Sequence, residues 1–104
     1  MRGQFDATAT IISSGAGLEV TGPAQWDPDE FGAVIRVRVW QEGAVATGVS
    51  AYTDSSNATW TATLTTLSGT LQPGAADARA RAVVSLDNGH TEPYTWPDTV
   101  QLVP

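Results

Sequence analysis

Hydrophobic and polar positions alternate with a period of two along most of this chain. The cleanest run is residues 33–41, where Ile35, Val37 and Val39 share one face of an extended chain and Arg36, Arg38 and Trp40 share the other. Strict alternation in a β-branched run predicts a strand with one face in a core and one toward water. Residues 77–84 mirror it, with Ala78, Ala80 and Ala82 on one face and Arg79 and Arg81 on the other. Five more strands follow from the same pattern, at about 4–13, 18–21, 44–53, 58–66 and 94–103. In 58–66, Trp60, Ala62 and Leu64 point inward and Thr59, Thr61, Thr63 and Thr65 outward. The outward threonines read as a solvated sheet face, or as one that packs on a neighbouring copy.

Turn chemistry separates the runs: Ser14-Gly15-Ala16-Gly17, Gly22-Pro23, Asp27-Pro28-Asp29-Glu30, Glu42-Gly43, Leu71-Gln72-Pro73-Gly74 and Asp87-Asn88-Gly89-His90. The Asn-Gly pair signals a hairpin. Pro97 interrupts the last run, which predicts an edge or bulged strand there. No segment carries the 3.6-residue apolar period of a core helix. Seven short strands without a helix predict one all-β domain over residues 1–104, an antiparallel β-sandwich. Uneven strand and loop lengths argue against a closed barrel.

Composition narrows the function. With 104 residues and no cysteine, hydrophobic packing alone must hold the fold. The formal net charge of −6 argues against nucleic acid as a general partner. No apolar run approaches the roughly 20 residues of a membrane-spanning helix, so no membrane insertion is expected. The N-terminus lacks the pattern of a secretory signal, which leaves a cytoplasmic, virion or otherwise exported location open. All five basic residues are arginine, a bias that suits a GC-rich bacterial or phage genome.

The succession from Ile35 through Trp40 to Ala46, then Thr59-Trp60 to Leu64, Leu71–Gly74 and Asp87-Asn88-Gly89, resembles bacterial immunoglobulin-like domains. The resemblance covers roughly residues 33–90. It implies an Ig-like sandwich of about seven strands and a non-catalytic role in adhesion, spacing or assembly. It also implies that the two arginine-bearing strands are antiparallel neighbours in one sheet.

Candidate chemistry is sparse. His90, the one histidine, lies in a predicted hairpin tip, where a Ser85/Asp87 triad would lack a buried, oriented base. No enzyme activity and no cofactor are expected. Asp27, Asp29 and Glu30 supply hard oxygens of the kind calcium favours, yet three fall short of its six to eight ligands. The alternatives there are a weak calcium site completed by Asp6 or Asp98, and a solvated turn.

The arginine strands are the most specific feature. Placing Arg36 and Arg38 beside Arg79 and Arg81 puts like charges at cross-strand distance, which is unfavourable unless offset. One resolution is local, with Trp40 and Tyr52 stacking on guanidinia and Asp77, Glu42, Glu92 or Asp54 forming ion pairs. The other is a docking face for an acidic protein surface, a neighbouring subunit or an anionic ligand, with Ala46, Gly48 and Ser50 outward on the fourth strand and leaving a shallow trough beside it. Trp40 and Tyr52 also raise a different class of function, a carbohydrate-binding sandwich with an aromatic platform. Trp60 is expected in the core, and Trp26 and Trp96 at the ends of the sandwich.

Overall fold

Nine strands form in the computed structural model, which describes residues 1–104: β1 Arg2–Gly3, β2 Thr8–Ile12, β3 Gly17–Gln25, β4 Glu30–Gln41, β5 Ala44–Val49, β6 Thr53–Asp54, β7 Thr59–Ser68, β8 Gly74–Leu86 and β9 Thr91–Val103. Seven of them occupy the alternating runs. β1 and β6 are two-residue additions that pair with β3 and β4.

The sheet order is β3-β2-β9-β8-β4-β5-β7, and β7 pairs again with β3 over Gly17↔Thr65 to Pro23↔Thr59. That last ladder closes the sheet into a seven-strand barrel. The expected Ig-like two-sheet sandwich, and with it the immunoglobulin-like fold class, is therefore overturned. All neighbours around the ring are antiparallel except β2 and β9.

Interior volume explains the closure. The core holds 24 buried apolar residues, among them Ala76, Ala78, Ala80 and Ala82 in succession on β8, Ala33 on β4, Ala44 and Ala46 on β5, and Ala62 on β7. A sandwich separates its sheets by about 10 Å and needs larger side chains to fill the gap. A ring of about eight strands or fewer encloses a space that modest side chains fill. The few large groups then have room: Trp60 is 1% exposed, and its ring meets Phe5 edge-on at 5.4 Å and Trp96 at 5.9 Å between centroids. Loop lengths do not enter that balance. The outcome is an elongated barrel measuring 42 × 21 × 20 Å.

Trp96 points into the barrel with this aromatic group rather than covering an end. Trp26, half-buried, donates its indole N–H to the Asn57 carbonyl at 2.8 Å. Pro93 and Pro97 sit on the part of β9 that pairs only with β8, since β2 reaches β9 only at Gln101–Val103. The missing N–H groups therefore cost no ladder bond. Residues 3–5 cover this stretch, and Gly3 lies so close to the Trp96 ring that a Cβ would collide with it.

Turns behave as their residues predict except at Gly22-Pro23, which lies inside β3 and pairs with Trp60 and Thr59 of β7. Gly43, at φ +81°, closes the two-residue link from β4 to β5, and Gly89, at φ +83°, shapes the β8–β9 hairpin. At the end of the barrel near Glu30, the Asp29 carbonyl accepts from Asp87 N–H at 2.9 Å, and the Phe31 carbonyl accepts from Ser55 N–H at 2.7 Å. The Glu30 side chain is buried there and pairs with the Met1 ammonium.

Candidate functional site

β4 and β8 are antiparallel neighbours, and their register sets Arg36 directly opposite Arg81 and Arg38 directly opposite Arg79. Alternation buries Ile35, Val37 and Val39 on β4 and Ala78, Ala80 and Ala82 on β8, which forces all four guanidinium side chains outward. The adjacency inferred from the resemblance is thus present on a different architecture.

Flanking strands extend each pair into a row. Val49 on β5 and Thr95 on β9 flank Arg36–Arg81; Thr47 and Pro97 flank Arg38–Arg79. Beyond them lies a row of Val45, Trp40, Asp77 and Thr99, and on the other side Val34 faces Val83. Between β5, β4 and β8 runs an open groove of about 450 Å³, lined by the four arginines with Val37, Thr47, Gly48 and Val49.

The trough lies where expected, but its outward residues have the opposite parity. Ala46 and Ser50 are buried, and the Ser50 hydroxyl accepts the Ile35 N–H at 2.9 Å. Thr47 and Val49 face outward instead. The signal was available: in a two-residue Glu42-Gly43 turn Gln41 faces Ala44, and counting back places Thr47 opposite Arg38.

Local neutralisation is nearly absent. The molecule's one ion pair joins Met1 to Glu30, so no arginine has a carboxylate within 4.0 Å. Asp77 lies one row away opposite Trp40, Asp54 faces Gly32, Glu92 faces Val84, and Glu42 occupies the turn. Of the two expected aromatic stacks one forms, with the Arg38 guanidinium 5.7 Å from the centroid of Trp40. Tyr52, 56% exposed, lies over Gly32. Gly32 is eight positions from Trp40 on the same strand, a distance of about 26 Å at strand rise. Trp40 and Tyr52 therefore share no platform, and Tyr52 stands apart from the arginine rows.

The other candidates disperse. Glu30 turns inward, its Oε2 to the Met1 ammonium and its Oε1 accepting the Asp27 N–H at 2.7 Å, which leaves Asp27 and Asp29 alone on the turn. No group of three or more acidic or histidine side chains converges. His90 is exposed in the hairpin, as its position predicted. The β7 threonines face outward, but β3 pairs along the strand from Thr59 to Thr65 and β5 continues from Thr65. Two titrating groups stand out at the Glu30 end. Hydrogen bonds from the Ser56 hydroxyl and N–H hold Asp54 below its ordinary range. The Tyr94 hydroxyl donates to Glu92 at 3.0 Å, and that bond pushes its pKa up to about 12.

Fold and site together define a closed, all-β barrel that displays an unneutralised arginine groove on its wall. Comparison with protein-family models, curated proteins and solved structures gives no match.

Proposed function

We propose that this protein is a non-enzymatic interaction module that docks an acidic protein partner through the face formed by Arg36, Arg38, Trp40, Arg79 and Arg81. The observation that carries this reading is the pairing of four guanidinia in two facing rows with no carboxylate of their own chain in reach. Four of the chain's five positive side chains gather on one wall of a molecule whose net charge is −6. Like charges set directly opposite each other oppose folding. A partner's carboxylates would remove that repulsion and form forked, charge-assisted hydrogen bonds. Trp40 beside Arg38 adds the residue types that dominate interface energetics.

The test uses poly-glutamate as a defined acidic polypeptide. Wild-type protein binds it at low salt and releases it as ionic strength rises. The variant Arg38→Glu with Arg79→Glu loses binding at least tenfold, while its unfolding free energy stays within about 1 kcal/mol of wild type, because exposed charges without partners contribute little. Equal binding by the two proteins would remove the docking face.

A further inference from the structure

The arginine rows have a spacing, and spacing selects a ligand. Arg36 and Arg38 are two positions apart on β4, as are Arg79 and Arg81 on β8. Consecutive rows therefore sit about 6.6–6.8 Å apart along the strands. An extended polypeptide repeats its side chains on one side at that same interval, at positions i and i+2. Within a row, facing Cα atoms are about 4.5–5.5 Å apart, near enough for two guanidinia to share one carboxylate.

We propose that the groove binds an extended acidic segment of a partner protein with Asp or Glu at alternate positions, one carboxylate to each arginine row. This proposal rests on the docking reading above and adds the partner's conformation and sequence pattern. The ends of the groove refine it. On one side Asp77 occupies the next row and repels a third carboxylate. On the other, Val34 faces Val83, which is 37% exposed, and these two valines form an apolar shelf. The segment that fits is acidic, any, acidic, any, apolar, with the apolar residue on the shelf. A uniform polyanion such as polyphosphate gains only two rows and then meets Asp77 or the shelf.

Fluorescence anisotropy with labelled peptides separates these cases. The first peptide carries Glu at positions i and i+2 and Leu at i+4; the second has the same composition with the two Glu adjacent; the third replaces both Glu by Gln. The alternating peptide binds wild-type protein at least tenfold more tightly than either of the others. Arg38→Gln with Arg79→Gln lowers that affinity at least tenfold and leaves the thermal melt in place. Equal affinity for the two Glu isomers overturns the inference, as does stronger competition by polyphosphate at matched charge. If poly-glutamate still binds through Arg38 and Arg79 while the isomers bind alike, the alternating pattern falls and the docking face stands. Failure of poly-glutamate and of all three peptides removes both.

Discussion

Two indoles, Trp60 and Trp96, share one cluster and differ in a single hydrogen bond. The Trp60 N–H donates to the Gln4 carbonyl at 3.0 Å, whereas the Trp96 N–H is buried without a partner. Replacing either ring by phenylalanine removes the same atoms, but only Trp60→Phe gives up a protein hydrogen bond, the part-buried one to the Gln4 carbonyl. Trp60→Phe should therefore cost about 0.5–1.5 kcal/mol more than Trp96→Phe in urea denaturation. Tyr94 offers a second check. Its hydroxyl donates to the Glu92 carboxylate, so ionisation breaks that bond and sets two negative charges together, which raises the pKa from 10.0 to about 12. A folded-state pKa above the unfolded one means the native chain holds its proton longer. The resulting stabilisation is complete below pH 10 and lost as pH rises from about 10 to about 12. Ultraviolet titration should show this phenol ionising near the top of that window, and Glu92→Gln should return it toward 10.

At the level of strands, most of the structure was legible before any coordinates. Period-two alternation placed the seven main strands, put Trp60 in the core, and sent four arginines and four threonines outward, because burial of one face alone fixes parity. Parity failed only on β5, Ala-Val-Ala-Thr-Gly-Val, where the two valines suggest an inward face but the turn register buries the alanines and turns Val45 and Val49 outward. Gly48 shows what that strand requires. A Cβ there would collide with the Thr63 carbonyl oxygen, so the β5 backbone lies against β7 where their ladder ends. Exchanging glycine for valine in a strand ordinarily gains β propensity. Here Gly48→Val should destabilise by about 1–3 kcal/mol through overpacking, measured by thermal or urea unfolding. A neutral or stabilising result would mean that β5 and β7 stand further apart.

For the whole molecule, the question is which strands meet at the ends of the sheet. Alternation records which face of a strand is buried and carries nothing about its lateral neighbour. A sandwich and a barrel therefore read alike from β3, β4, β7 and β8, and the abundance of alanine inside is the one feature that separates them. The pairing that decides the matter is β3 with β7, where Thr21 lies directly opposite Thr61 on the outer surface. Facing residues in an antiparallel ladder have Cα atoms about 4.5–5.5 Å apart, inside the range a disulfide spans. The chain has no cysteine, so Thr21→Cys with Thr61→Cys introduces the sole thiol pair. Mild oxidation should cross-link it quantitatively within the monomer. Closing a loop of about 40 residues should raise stability by on the order of 4 kcal/mol in the chain-entropy account, less any native strain. In a sandwich with β3 and β7 on unpaired edges these positions would lie beyond a disulfide's reach. Oxidation would then yield free thiols or intermolecular dimers, and the closed ring that holds the arginine rows in place would have to be abandoned.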